Sequence, residues 1–317
     1  MALRFLTEDL VTSVKRRSLV PVSQTTFQDS DIIALANEEM SITITPDIIQ
    51  VREDAFLVSA STPIVGTVPD YKLPERAIGN AFKTLFYKTD NTNKWELPRQ
   101  GPNKLHDRVL TGQPASFFLK DDYVSLSPVP SSSTGVLEFW YYRRPSELVP
   151  TANVGLVQSI TVNGATTTLT LSNSISAVNG GQIDIYWPES PYTLDVQGID
   201  ISNVTSSSLD VATADIQDQA GQMKVWVGSY VALEKQSNVP LIPEEFHPVL
   251  AQCVAVKLLE ALGDVNKLQL ARQTLAEMRS QALKLITNRV ETAVEYINNP
   301  YSISNSIGRY SRRSAIR

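Results

Sequence analysis

Only two histidines and one cysteine in 317 residues are available for metal ligation or nucleophilic chemistry. His106 lies in the Trp95 to Gly112 stretch, which Pro98, Gly101 and Pro102 interrupt, and His247 stands directly before Pro248 at the head of an apolar run. His247 reads most simply as a helix-entry residue. Cys253 sits among Val and Ala, where a thiol stays protonated and inert. The acidic pairs Asp29/Asp31, Asp121/Asp122 and Glu244/Glu245 fall at helix entries and turns, which favour carboxylates for local reasons. A phosphate-cradling loop, a dinucleotide-binding glycine pattern, a nucleophile elbow and a calcium loop are all missing from the sequence. The expectation is a chain that is not an enzyme and takes neither metal nor cofactor.

Two further stretches bear on binding. Phe139-Trp-Tyr-Tyr-Arg-Arg-Pro145 interleaves aromatics with cations, as platforms for single-stranded nucleic acid do. Its plainer reading is a strand end with both faces covered by protein. After Asn298-Asn-Pro-Tyr301 the chain is rich in Ser and Asn and carries Arg309, Arg312, Arg313 and Arg317, with no acid after Glu295. Such a segment cannot build a core alone. It is either a solvated end or a peptide that docks in a partner's groove. Docking is the favoured reading, through Tyr301, Ile307, Tyr310 and Ile316, with the arginines pairing carboxylates.

The elements that must position these residues divide the chain into three textures. Thr7 as N-cap, Glu8 and Asp9 in the first turn, and Lys15, Arg16 and Arg17 near the end predict a first helix, with Leu6 and Val11 as its staple and Pro21 as its stop. A second helix is predicted from Asp29, with Ile32, Leu35, Ala36 and Met40 inward and Glu38 and Glu39 outward. Beyond it, Ile42 to Thr45 alternates like a strand, whereas Ile48, Ile49 and Arg52 continue a helix kinked at Pro46, the reading favoured here. From Ala55 to Pro150 short β-branched and aromatic runs predict antiparallel strands at Phe56 to Ser59, Ser116 to Leu119, Tyr123 to Ser127 and Val136 to Tyr142, with Trp95 to Gly112 as a long loop.

Between Asn153 and Val239 the composition turns to Ser, Thr, Asn, Val and Ile, which predicts a separate β module, a small barrel or sandwich. A hairpin around Asn163-Gly164 joins Ile160 to Val162 with Thr168 to Leu171, and strands follow at Ile183 to Trp187, Thr193 to Val196, Ser208 to Val211 and Lys224 to Leu233. From Pro248 to Leu262 nearly every position is apolar, the mark of a helix buried all round. One side of it is expected to face a neighbouring subunit. Gly263-Asp264 predicts a stop and a fresh N-cap, and the next helix spaces Leu268, Ala271, Leu275, Met278, Ala282 and Leu285 as a seam for another helix. Leu250, Val254, Leu258, Leu268, Leu275, Met278 and Ala282 are therefore the candidate subunit-packing residues.

The fold class expected is α+β: a helical bundle built from both chain ends, antiparallel strands, and an inserted β module. Its domains are 1–152 with 240–297 as the core, 153–239 as the insert, and 298–317 as the basic tail. A net charge of −5 argues against a surface that grips phosphates broadly, and 42% hydrophobic with 19% charged residues is ordinary globular composition. No apolar run approaches the roughly 18 residues of a membrane span, and the first ten residues do not read as a signal peptide. No membrane association is expected.

Four stretches are similar to a known family. Leu10-Val-Thr-Ser-Val-Lys-Arg-Arg-Ser18, Phe27 to Met40, Tyr141-Tyr-Arg-Arg-Pro145 and Pro240 to Asp264 resemble the head-to-tail adaptor, or connector, proteins of tailed bacteriophages. The resemblance spans both helical ends and leaves the β module uncovered. It implies a structural virion protein, assembled in the host cytoplasm, that forms a homo-oligomeric ring of about twelve copies. The ring would join the portal protein to downstream tail or nozzle proteins, and genomic DNA would pass through its lumen without specific binding. It also implies that the tail residues Tyr301, Ile307, Arg309, Tyr310, Arg312, Arg313, Ile316 and Arg317 dock on the portal. A second reading is a tail or baseplate component whose β module binds a fibre or a surface glycan.

Overall fold

The computed structural model describes residues 5–19, 27–89, 93–101, 111–189, 191–218 and 220–287. Helix and strand take nearly equal shares, 34% and 33%, which makes the chain α+β. Helix α1 (Thr7–Ser18) leads into α2 (Asp29–Glu39), a five-residue π turn (Met40–Ile44) and α3 (Thr45–Val51). The N-cap of α1 is Leu6 rather than Thr7. Asp9 accepts the Leu6 N–H at 3.2 Å, and the Thr7 hydroxyl instead donates to the Asn238 carbonyl at 2.9 Å. Leu19, in the left-handed conformation, ends the helix, and Pro21 lies outside the described residues.

The helical path through Pro46 is continuous because the π turn makes room for it. Proline lacks an N–H and its ring crowds the carbonyl four residues back. Here the Thr45 N–H reaches five residues back to Met40, and the Thr45 hydroxyl donates to the same carbonyl at 2.7 Å. The widened turn has a second effect. Ile32, Ala36, Met40, Ile44 and Ile48 recur every four residues and are all fully buried, although in a regular helix that spacing would drift by about 40° per step. The π turn rotates the stripe back onto the core. Glu39, expected outward, is buried at this turn, where it accepts the Thr43 hydroxyl and faces Lys257 at 3.5 Å.

A β region follows: β1 (Leu57–Pro63), β2 (Asp70–Lys72), β3 (Thr84–Lys88), β4 (Lys94–Glu96), β5 (Thr111–Gly112), β6 (Ser116–Lys120), β7 (Tyr123–Ser127), β8 (Val129–Pro130), β9 (Val136–Tyr142) and β10 (Glu147–Leu148). It forms an antiparallel sheet in the order β1-β9-β3-β4, a three-stranded sheet β2-β7-β6 and a short β5-β8 pair. Alternation sends Leu137, Phe139 and Tyr141 of β9 into the core between the sheets. The strands at 70–72, 84–88 and 94–96 were not predicted, being short and weakly alternating.

The chain then enters β11 (Gly155–Asn163), β12 (Thr166–Leu171), β13 (Gln182–Tyr186), β14 (Leu194–Ser202), β15 (Ser208–Ala212) and β16 (Tyr230–Leu233). Their pairing closes on itself in the order β11-β12-β15-β14-β13-β16. The β11–β12 hairpin turns at Asn163-Gly164, where Gly164 has a positive φ of 65°. Of the expected strand from Lys224 to Leu233 only Tyr230 to Leu233 pairs, because Trp226 to Ser229 form a turn. Strand β17 (Gln236–Ser237) pairs in parallel with β10, so the chain enters and leaves the barrel at adjacent points.

Helices α4 (His247–Leu262) and α5 (Val265–Ile286) complete the helical layer, in which α4 packs on α1, α2 and α5. Gly263, left-handed at φ 73°, and Asp264, whose carboxylate accepts the Lys267 N–H, divide the two helices as expected. Leu285, expected in the seam of α5, is 71% exposed, and Ile286 is buried in its place.

Candidate functional site

The groups with reactive chemistry are held in structural roles. His247 is buried between the rings of Phe5 and Tyr192, and its Nε2–H donates to the carbonyls of Pro240 (3.0 Å) and Ile242 (3.2 Å). Burial pushes its pKa down to about 4. The neutral ring closes the turn into α4. Cys253 faces the helical core, where burial, with Glu39 near it, pushes the thiol up to about 12. His106 lies outside the described residues. Among the described residues no group of three His, Cys, Asp or Glu side chains is placed to hold a metal ion.

The His247 position predicts a pH dependence. Its folded pKa lies below the ordinary value of about 6.5, so the unfolded chain takes up the proton first. The stability it contributes is complete above that value and drains away as pH falls through about 4, by about 3 kcal/mol at the limit. Asp195, raised to about 6 by burial, acts with the opposite sign in the same interval. The informative measurement is therefore a comparison: denaturant unfolding at pH 7 and pH 5 should show a smaller acid loss in His247→Gln than in the parent. Equal losses would refute the assignment.

The aromatic and cationic stretch at 139–145 is spent within the fold. Phe139 and Tyr141 are core residues, the Trp140 indole N–H donates to Glu138 at 2.6 Å, and Tyr142 donates to Glu53. Glu138 is itself buried. Burial alone would raise its pKa, but Lys88, Lys94 and the Trp140 N–H together hold it below the usual carboxylate range. Arg143 is buried too, and burial, with Arg76 beside it, brings its pKa down to about 10. Only Tyr142, Arg144 and Pro145 of the stretch border an open pocket, together with Pro46 and Ile49.

The candidate subunit-packing residues separate into two groups. Leu250, Val254 and Leu258 are fully buried in this chain's own core with Leu10, Val14, Ile32, Ala36 and Met40. That corrects the assignment of these three to subunit packing, since α1, α2 and α5 cover them, while Leu262 at the end of α4 remains 44% exposed. Leu275, Met278 and Ala282 pack on the same core and Leu268 is half-buried, so the seam binds α5 to its own chain. Apolar side chains also stay open on the outside of α5, where Val265 is 72% and Leu270 67% exposed. Tyr301, Ile307, Arg309, Tyr310, Arg312, Arg313, Ile316 and Arg317 lie outside the described residues.

Sequence reasoning missed the polar joint between barrel and body. Arg76, in the turn after β2, donates to Asp184 of β13 at 2.6 Å and to the Ser146 hydroxyl at 2.8 Å. The other bonds of Asp184 go to the backbone N–H groups of Gly198 (2.9 Å) and Lys235 (3.0 Å). Beside it, Asn238 ties the Tyr186 hydroxyl of β13 to the start of α1, because its carbonyl accepts from both Thr7 N–H and Thr7 Oγ1–H. One signal existed: Asp184 interrupts the β-branched run Ile183-Asp-Ile185, where a buried carboxylate demands a partner. Nothing in the spacing points to Arg76.

No protein-family model matches the chain, and no curated protein is significantly similar to it.

Proposed function

We propose that this chain is a structural virion subunit, a head-to-tail adaptor of a tailed bacteriophage, which closes into a ring between portal and tail and encloses the DNA channel. The observation that supports this reading best is a convergence. The four stretches that resemble adaptor proteins come from the start, the middle and the end of the sequence, yet three of them form the helical layer, as α1, α2 with its π turn, and the entry and body of α4. The fourth, Tyr141 to Pro145, attaches to that layer at Phe56, whose carbonyl accepts the Arg143 N–H at 2.8 Å. In this reading the ring contact uses the exposed outer residues of α5, and the acidic net charge of −5 lets DNA slide past without adhering. The barrel projects from the ring body, and the basic tail engages the portal.

Imaging the purified chain mixed with the portal protein of the same virus tests this. Closed rings stacked on the portal are the expected result, and a monomer that never associates with portal would reject the proposal. Removing residues 302–317 should leave a folded ring-forming protein that no longer binds portal. Unchanged binding would remove the tail from the mechanism.

A further inference from the structure

One end of the barrel combines two features that helix packing and ring formation do not use. Trp187 follows β13 directly and is half-buried. Trp226 meets it edge to face, with ring centroids 6.5 Å apart, and is 53% exposed, and its neighbour Val227 is 58% exposed. Gly228, at φ 100°, lets the backbone pass the Trp187 ring, which an added Cβ would approach to 3.3 Å.

Next to this apolar floor the barrel wall parts. Strands β14 and β15 pair only at Ile201 with Val211 and Ser202 with Asp210. The first half of β14 therefore borders a cleft of about 440 Å³, lined by Asp195, Asp200, Asp215 and Lys224. The two features are joined covalently and by hydrogen bonding: Lys224 precedes Trp226 by two residues, and the Asp195 carboxylate accepts the Trp187 backbone N–H. The second Asp195 oxygen is buried without a hydrogen-bond partner among the described residues. A buried acceptor left in that state is costly until a donor reaches it.

We propose that the barrel mouth binds a neutral oligosaccharide, stacked on Trp226 and Trp187 and hydrogen-bonded through its hydroxyls to Asp195, Asp200, Asp215 and Lys224. The chemistry discriminates between ligands. A polynucleotide would stack on indole, but three carboxylates against one ammonium repel its phosphates. A purely apolar ligand would leave the carboxylates unpaired. A sugar ring offers an apolar C–H face and a rim of hydroxyl donors together. This inference does not depend on the adaptor reading.

The test uses the full chain on a printed array of neutral hexose and N-acetylhexosamine oligosaccharides, with single-stranded DNA as a competitor. Retention of one or more oligosaccharides, unaffected by DNA, is expected. Trp226→Ala should weaken it at least about tenfold without changing the melting temperature, since Trp226 is largely outside the core. Asp215→Lys, at an exposed position, should weaken it as well. Absence of binding across the array, equal binding by Trp226→Ala and Asp215→Lys, or displacement by DNA would each overturn the proposal.

Discussion

Asp184→Ala should be among the most damaging single substitutions in the chain, lowering stability by about 3–5 kcal/mol. Asp184 is fully buried and accepts from Arg76, Gly198 N–H and Lys235 N–H. Removing it strands a guanidinium that is itself buried, with Arg143 close by and no other carboxylate bonded to it among the described residues. The cost comes from the uncompensated charge more than from the lost attraction, since the desolvation penalty of Arg76 is retained without its partner. Denaturant unfolding should record the loss. Replacing both partners by apolar residues, Arg76→Met with Asp184→Leu, should recover a large part of it, because the Arg76 charge is then no longer stranded. A double variant as unstable as Asp184→Ala would show that the two backbone N–H groups, rather than Arg76, carry the energy.

A pair of substitutions separates core from ring contact with an equally large contrast. Leu250→Ala should cost about 2–5 kcal/mol, since it opens a void among α1, α2 and α4 that close-packed neighbours fill only in part. Its ring assembly, measured by light scattering under conditions where the variant stays folded, should be unchanged. Val265→Glu with Leu270→Glu should do the reverse. Both positions face solvent on α5, so stability should move by no more than about 0.5 kcal/mol, while new charges on a surface used between copies should dissolve the ring. Assembly that survives the two glutamates would move the contact away from α5.

How far the sequence reached can be judged from particular residues. The Asn163-Gly164 hairpin was legible because a tight turn demands positive φ, which few residues adopt, and the Gly263-Asp264 break was legible for the same reason. Apolar spacing alone favours a helix kinked at Pro46, but the π turn that keeps Ile32 to Ile48 on one face depends on the core they must fill. The apolarity of α4 signalled the burial of its body from Val249 to Val256 with Leu258 and Leu259, although Ala261 and Leu262 at its end are exposed. It could not say whether its covering came from a neighbour or from α1, α2 and α5 of the same chain, because hydrophobic burial is nondirectional and does not distinguish who supplies the surface.

The same limit governs the charged residues. Local patterning by itself pointed to the mixed fold class, and composition to the acidic balance and the scarcity of cysteine and histidine, which are sums over residues and need no coordinates. Whether Arg76 meets Asp184, whether Arg143 is open to a ligand or sealed, and whether Trp187 and Trp226 share one barrel mouth were decided only by tertiary structure. Each depends on chain closures that bring together residues distant in sequence, and electrostatic and hydrogen-bond energies fall off within a few ångströms. Local patterns therefore set the elements, while the closing of the barrel and its return beside β10 set the partners.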